Sequence, residues 1–193
     1  MFAFAILAGV IATNRSDWWR YSVCALGTHV MSHSPWVFNA GILMTAALFA
    51  LLASQSREML RMLRERGVLT RGQVLGVVAI PALIAIDLAI VALVPYDVSS
   101  LAKLVHNVAG WGSGWVIAAA MFLVPSQLHV FDERFYTRTW LLLGVYAACF
   151  TGFEAGVLTY AMAEIGAISV AAAWTVLLYS NLERLGERAP ATR

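Results

Sequence analysis

The chain has 193 residues, of which 61% are hydrophobic and 12% charged, and its 13 basic and 11 acidic side chains leave a net charge of +2. A soluble domain carries roughly 25% charged residues, so this composition excludes a water-soluble globular fold and a disordered chain and points to a lipid bilayer. Membrane lipids, with a membrane-protein partner or a second copy, are the expected company; nucleic acid is not.

A helix that crosses the hydrocarbon core needs about 20 mostly apolar residues, because only an intrahelical ladder satisfies the backbone in lipid. The first apolar run, 2–13, falls short of this at about 18 Å. It is read as a spanning helix with a clipped start. A signal peptide competes for the same run, but a basic leader would be expected and Met1 is followed directly by apolar residues. Five further runs meet the length: 36–54, 73–94, 101–124, 140–158 and about 161–179. The expected fold is therefore all-α, a polytopic six-helix membrane bundle forming one domain over 1–193. Segment 14–35 is an outer loop or lid, and 56–72 is a basic connection.

The basic side chains orient this bundle. Arg57, Arg61, Arg64, Arg66 and Arg71 fall between the second and third spans, Arg134 and Arg138 between the fourth and fifth, and Arg184, Arg188 and Arg193 after the last. The opposite side keeps Arg15, Arg20 and Lys103. By the excess of basic residues on cytoplasmic loops, both termini are expected in the cytoplasm of a cell-membrane protein. The stretch 56–67, where Met59, Leu60, Met62 and Leu63 alternate with arginines, is expected as a short helix on the inner leaflet or as ordinary basic flanking.

Between the first two spans, 20–35 is too polar to cross and too apolar for a free loop. A short helix or lid folded over the bundle is expected, with Gly27 as a break. Pro81 predicts a kink in the third span. The run from Gly110 to Trp115, with Gly112, Ser113 and Gly114, predicts close helix contact. Cys24 and Cys149 lie at different depths, so two small buried thiols are expected rather than a disulfide.

Ionisable groups inside spans are costly and usually face the bundle interior. Asn39, Asp87, His106, Asn107 and Glu154 fall at about one depth in the outer third, on different helices, and Glu164 opens the last span. The first five form the expected ligand site, a pocket open to the outer leaflet; an interhelical hydrogen-bond cluster is the competing reading. His29 and His33 are four apart, a spacing that on a helix lets two imidazoles share a metal, and His106 would complete a three-histidine zinc set. Asp17, Asp97 or Glu154 would complete or orient that set. His129 is expected on the cytoplasmic surface. Ser22, Ser32, Ser34 and Ser113 are candidate nucleophiles, but none sits in a nucleophile elbow. No lysine within a span suits a retinal Schiff base.

Two blocks carry a family resemblance: Ser22-Val23-Cys24-Ala25-Leu26-Gly27-Thr28 followed by Trp36-Val37-Phe38-Asn39-Ala40-Gly41, and Val94-Pro95-Tyr96-Asp97 followed by His106-Asn107. Over about 17–124 the chain resembles the bacterial six-span proteins grouped as domain of unknown function nine-nine-eight, and more distantly the Frag/DRAM/Sfk group. The resemblance implies a six-helix membrane domain with the Leu26-Gly27 segment and the His106-Asn107 pair on one side. It implies no reaction. It carries a connection to lipids, since the eukaryotic relatives are tied to lipid remodelling, mostly as regulators. The short first run departs from the pattern, and His29 and His33 are not part of it.

Three functions follow as expectations. The leading one is a non-enzymatic protein that binds a lipid or other amphiphile in an outer-leaflet pocket, or an accessory subunit of a membrane complex, with no cofactor. The second is a metal-dependent lipid hydrolase, with zinc on His29, His33 and His106 and a carboxylate from Asp87 or Glu154 relaying a proton. The third is a proton-coupled transporter using Asp87 and Glu154, against which stands the lack of inverted repeats.

Overall fold

The computed structural model describes residues 2–13, 15–127 and 131–188. His129 and Arg193 lie outside the described residues. The architecture is all-α: α1 (Phe2–Ala12), α2 (Pro35–Glu65), α3 (Arg71–Leu93), α4 (Ser100–Gln127), α5 (Glu133–Glu154) and α6 (Tyr160–Arg188), with 3-10 helices at Trp18–Arg20 and Val23–Gly27 between α1 and α2.

Four helices, α2, α3, α4 and α6, are long and apolar enough to cross a membrane. α1 is apolar but has 11 residues. α5 has 22 residues but is less apolar, because its first two turns hold Glu133, Arg134, Thr137 and Arg138 and its last residue is Glu154. In the most apolar stretch of each of the four long helices, only 28% to 39% of residues are buried inside the protein. The outward faces carry Leu75, Leu83 and Ile86 on α3 and Leu104, Val108 and Trp115 on α4. Apolar surface on this scale marks contact with a membrane or another protein.

Local signals set the helix ends. Pro35 opens α2 in the first turn, where its missing N–H costs nothing. Thr70 opens α3 with a reciprocal cap: Gln73 N–H donates to Thr70 Oγ1 at 3.3 Å, and Thr70 N–H donates to Gln73 Oε1 at 2.8 Å. Asp132 caps α5 by accepting from Phe135 N–H at 2.8 Å. Gly67 (φ 71°) and Gly156 (φ 72°) end α2 and α5 in the left-handed region that glycine enters without strain. α3 continues past Pro81 as one helix.

Two expectations are corrected here. Segment 56–67 is not a separate surface helix, since α2 runs unbroken from Pro35 to Glu65, roughly 46 Å at 1.5 Å per residue. Its distal half contains no Gly or Pro, and Leu60 and Leu63 bury into a core shared with Leu178 and Leu182 of α6. The lid is not one helix either. It is two short 3-10 turns and a tight bend, fastened to the end of α1, where Ser32 Oγ donates to Ala12 O at 3.1 Å and His33 N–H to the same carbonyl at 3.2 Å.

The helices pack up and down, with α2 against α3, α3 against α4 and α5 against α6 as the main contacts. One core cluster centres on Trp174, Phe135, Leu60 and Met121. The end beyond it carries Arg57, Arg61, Arg64, Arg66, Arg71, Arg134, Arg138 and Arg184. The other cluster, at the lid end, joins Ala5 of α1 and Leu26 of the lid to Phe38, Ile42, Val91 and Ala161.

α1 is held by close approach rather than by length. A Cβ at Gly41 would lie 2.4 Å from Ala5 Cβ and 3.0 Å from Ala5 Cα, whereas one at Gly76 would meet nothing within 4 Å. Gly41→Ala should therefore displace α1 and cost about 1–3 kcal/mol, while Gly76→Ala should be neutral or gain up to ~1 kcal/mol of helix propensity. Thermal unfolding of the purified protein in mild detergent reads both: Tm should fall for Gly41→Ala alone. Equal midpoints would show that α1 does not dock at Gly41.

Candidate functional site

All six helices and the lid border a cavity of about 400 Å³. α2 lines it with Phe38, Ile42, Thr45 and Phe49, and α3 with Ile84, Leu88 and Val91. Each set recurs at three or four residues, the spacing of one helix face. α6 contributes the small side chains Ala163, Ala167 and Ala171, and α5 the rings of Tyr146, Phe150 and Phe153. Small residues on α6 opposite large ones on α2 and α5 leave space that a run of leucines would fill.

Polar side chains gather at the lid end of this apolar wall: Ser22 and Cys24 from the lid, Tyr96 from the α3–α4 connection, His106 and Asn107 from α4, and Tyr160 and Glu164 from α6. Lys103 and Asn107 also border the cavity yet are exposed, which places them at its mouth. His106 is 5% exposed. Its Nδ1 lies 2.8 Å from Val94 O at the end of α3; a carbonyl only accepts, so Nδ1 carries the proton. The Tyr96 ring meets the imidazole edge-on at 5.4 Å between centroids. Nε2 is buried and has no hydrogen-bond partner among the described residues.

Glu164 fastens the lid. One carboxylate oxygen accepts from Ser22 Oγ at 3.1 Å, and the other from Val23 N–H. Val23 opens the second 3-10 helix, whose first N–H groups have no partner within the helix, and the carboxylate satisfies one of them. Cys24 N–H is capped by Ser22 Oγ at 3.2 Å. Burial, with Glu164 nearby, pushes the Cys24 thiol up to about 12. Burial also raises the Tyr96 phenol above its usual range.

Of the five expected ligand residues, His106 and Asn107 line the cavity; Asn39, Asp87 and Glu154 do not. Asn39 Nδ2 instead donates to Gly27 O at 3.1 Å, pinning the lid to α2. Asp87 is half-buried in the α3–α4 seam, where a Cβ at Gly112 would lie 3.0 Å from its Oδ2. Glu154 is exposed at the last residue of α5. The close contact expected around Gly110 to Trp115 is present: Gly112 admits Asp87, and Gly114 lies under Tyr146, whose hydroxyl donates to Gly114 O at 3.0 Å.

His29 and His33 lie in a bend and are exposed, so the helical spacing that would pair them is absent. Among the described residues no three His, Cys, Asp or Glu side chains are placed to hold a metal. Asp17 is taken by Arg15 in a two-pronged pair at 2.9 Å, which holds its carboxyl below the usual range, and Asp97 accepts from His29 N–H at 3.0 Å. Ser22 donates to Glu164, Ser32 to Ala12 O and Ser113 to Gly110 O at 2.9 Å. None of these three hydroxyls donates to a histidine. Both cysteines are free, and Cys149 packs against Gly166.

Glu164, Tyr96, Tyr160 and Lys103 border the cavity as well, beyond the ligand residues expected from the sequence. An acid at the start of a span was the available signal for Glu164; its partners are Ser22 Oγ and Val23 N–H, 142 and 141 residues away, and no local motif announces them.

Glu164→Ala should leave Val23 N–H and Ser22 Oγ without their acceptor and cost about 1–3 kcal/mol, with Glu164→Gln costing less because one oxygen still accepts. Maleimide labelling at pH 8, followed at Cys24 by peptide mapping, should be slow in the unsubstituted protein, where the thiol stays protonated and buried, and severalfold faster in Glu164→Ala. Unchanged labelling would show that the carboxylate does not hold the lid. In comparisons with known proteins, no family model, no curated protein and no solved structure matches this chain.

Proposed function

We propose that this protein binds a lipid or another single-chain amphiphile within its helical bundle, the tail along the apolar wall and the head group among the polar side chains under the lid. The observation that carries this reading is the shape and chemistry of the cavity. It is about 400 Å³, within the roughly 300–1,000 Å³ of small-molecule sites. It is mostly apolar along α2, α3 and α6, where the hydroxyls of Thr45 and Thr175 bond back to Gly41 O and Ala171 O, and its polar side chains concentrate at one end. Such a gradient suits a ligand that is itself apolar at one end.

The membrane arrangement belongs to this proposal. All six helices cross the bilayer of the cell membrane, α1 and α5 included. α5 packs against α6 and joins the two ends of the bundle, which supports its crossing. Both termini and the arginine-rich end lie in the cytoplasm, because basic residues are retained there, and the lid lies on the outer side. A second copy or a membrane-protein partner would cover part of the outward apolar faces.

Photocrosslinking tests the site. An alkyl probe with a diazirine at the end of its tail should label peptides containing Phe49, Ala171 and Thr175, residues of the apolar wall. Ala171→Phe should fill the cavity and lower this labelling by roughly tenfold, a loss on the scale of burying one or two methylenes less, while Tm holds or rises. Labelling confined to outward-facing residues such as Leu83 and Trp115 would show that lipid only surrounds the protein.

A further inference from the structure

The cavity reading above leaves the head group open, and the hydrogen bonds already made at its polar end narrow that choice. We propose that the ligand enters as a hydrogen-bond donor, a long-chain alcohol or ammonium, received by His106 Nε2 and by the carboxylate of Glu164. This rests on the amphiphile reading of the same cavity.

His106 commits its Nδ1–H to Val94 O. In the neutral imidazole the other nitrogen is then a lone-pair acceptor. That acceptor is buried and has no partner among the described residues, and it belongs to a residue that borders the cavity. Buried polar atoms are nearly always paired, so an orphan on a cavity wall marks the place where a ligand supplies the missing donor. Glu164 adds to the same preference. Its two oxygens receive Ser22 Oγ–H and Val23 N–H, and each oxygen keeps a further lone pair able to accept. Ser22 has spent its proton on that carboxylate. Tyr96, Tyr160 and Asn107 can both donate and accept, so they suit an alcohol. Lys103 is exposed at the mouth, one turn before His106 on α4. An anionic head group held there would leave Nε2 unpaired.

Competition on the unsubstituted protein tests the assignment without any variant. Hexadecanol, hexadecylammonium, hexadecanoate and hexadecyl phosphate share one tail and differ in head group. Each is titrated against the diazirine alkyl probe in mild detergent. Hexadecanol and hexadecylammonium should displace it at roughly tenfold lower concentration than the two anions, the scale of one buried hydrogen bond. The ratio between the first two tells which donor the site prefers. His106→Phe should narrow the ratio between the donors and the anions. Equal displacement by all four in the unsubstituted protein, or stronger displacement by the anions, would overturn the donor assignment and leave the cavity reading standing. Displacement by none would remove the cavity reading itself.

Discussion

The lid is irregular backbone resting on an apolar bundle, and every feature of the site depends on satisfying its peptide groups. In lipid or against it, an N–H or C=O without a partner costs several kcal/mol, which is why regular helices dominate such proteins. The lid meets this demand with short backbone turns such as Ala25 N–H to Ser22 O and Thr28 N–H to Ala25 O, and with side chains where the turns leave off. Glu164 takes Val23 N–H, Asp97 takes His29 N–H, Asn39 supplies Gly27 O, and Ser32 supplies Ala12 O. Three of these partners come from α2, α6 and the α3–α4 connection. The lid is therefore fixed by the assembled bundle, and the cavity beneath it exists only once the helices are in place.

The helices make that cavity by distributing side-chain size. Gly41 lets α1 lie directly on α2 through Ala5, and Gly166 admits Cys149 between α5 and α6. These close approaches tighten the periphery. Toward the centre, α6 presents alanines where a packed core would place larger side chains, and the rings of Tyr146 and Phe150 stand across from them. Tyr146 is held upright by its hydrogen bond to Gly114 O. The space is therefore a product of the same small residues that let the helices meet, displaced from the contact lines to the interior.

Hydropathy made much of the fold legible. The apolar runs over 73–94 and 101–124 correspond closely to α3 (Arg71–Leu93) and α4 (Ser100–Gln127), because a span is a composition before it is a shape. Boundaries went astray where composition and conformation part. The apolar run stops at Ser54, where the arginines begin, but nothing in the following residues breaks a helix, and α2 continues to Glu65. The lid's 3-10 turns had no periodicity to reveal them, since Val23–Gly27 is too short to show any.

The site was half legible for a related reason. Position along a span gives depth, and depth alone grouped Asn39, Asp87, His106, Asn107 and Glu154. Which way each side chain faces depends on rotation, at about 100° per residue. On α3 the cavity face is Ile84, Leu88 and Val91. Asp87 stands roughly 60° round from Ile84, which turns it into the seam with Gly112. Asn39 follows Phe38 and Glu154 follows Phe153, each one step off a residue that lines the cavity. His106 and Asn107 are the members of the set that share both the depth and the face, and the register of His106 is fixed by Val94 O rather than by its own helix. A group with one nitrogen locked by the scaffold and the other unpaired beside a cavity is oriented before any ligand arrives, so a ligand that meets it finds the ordering cost already met by the fold.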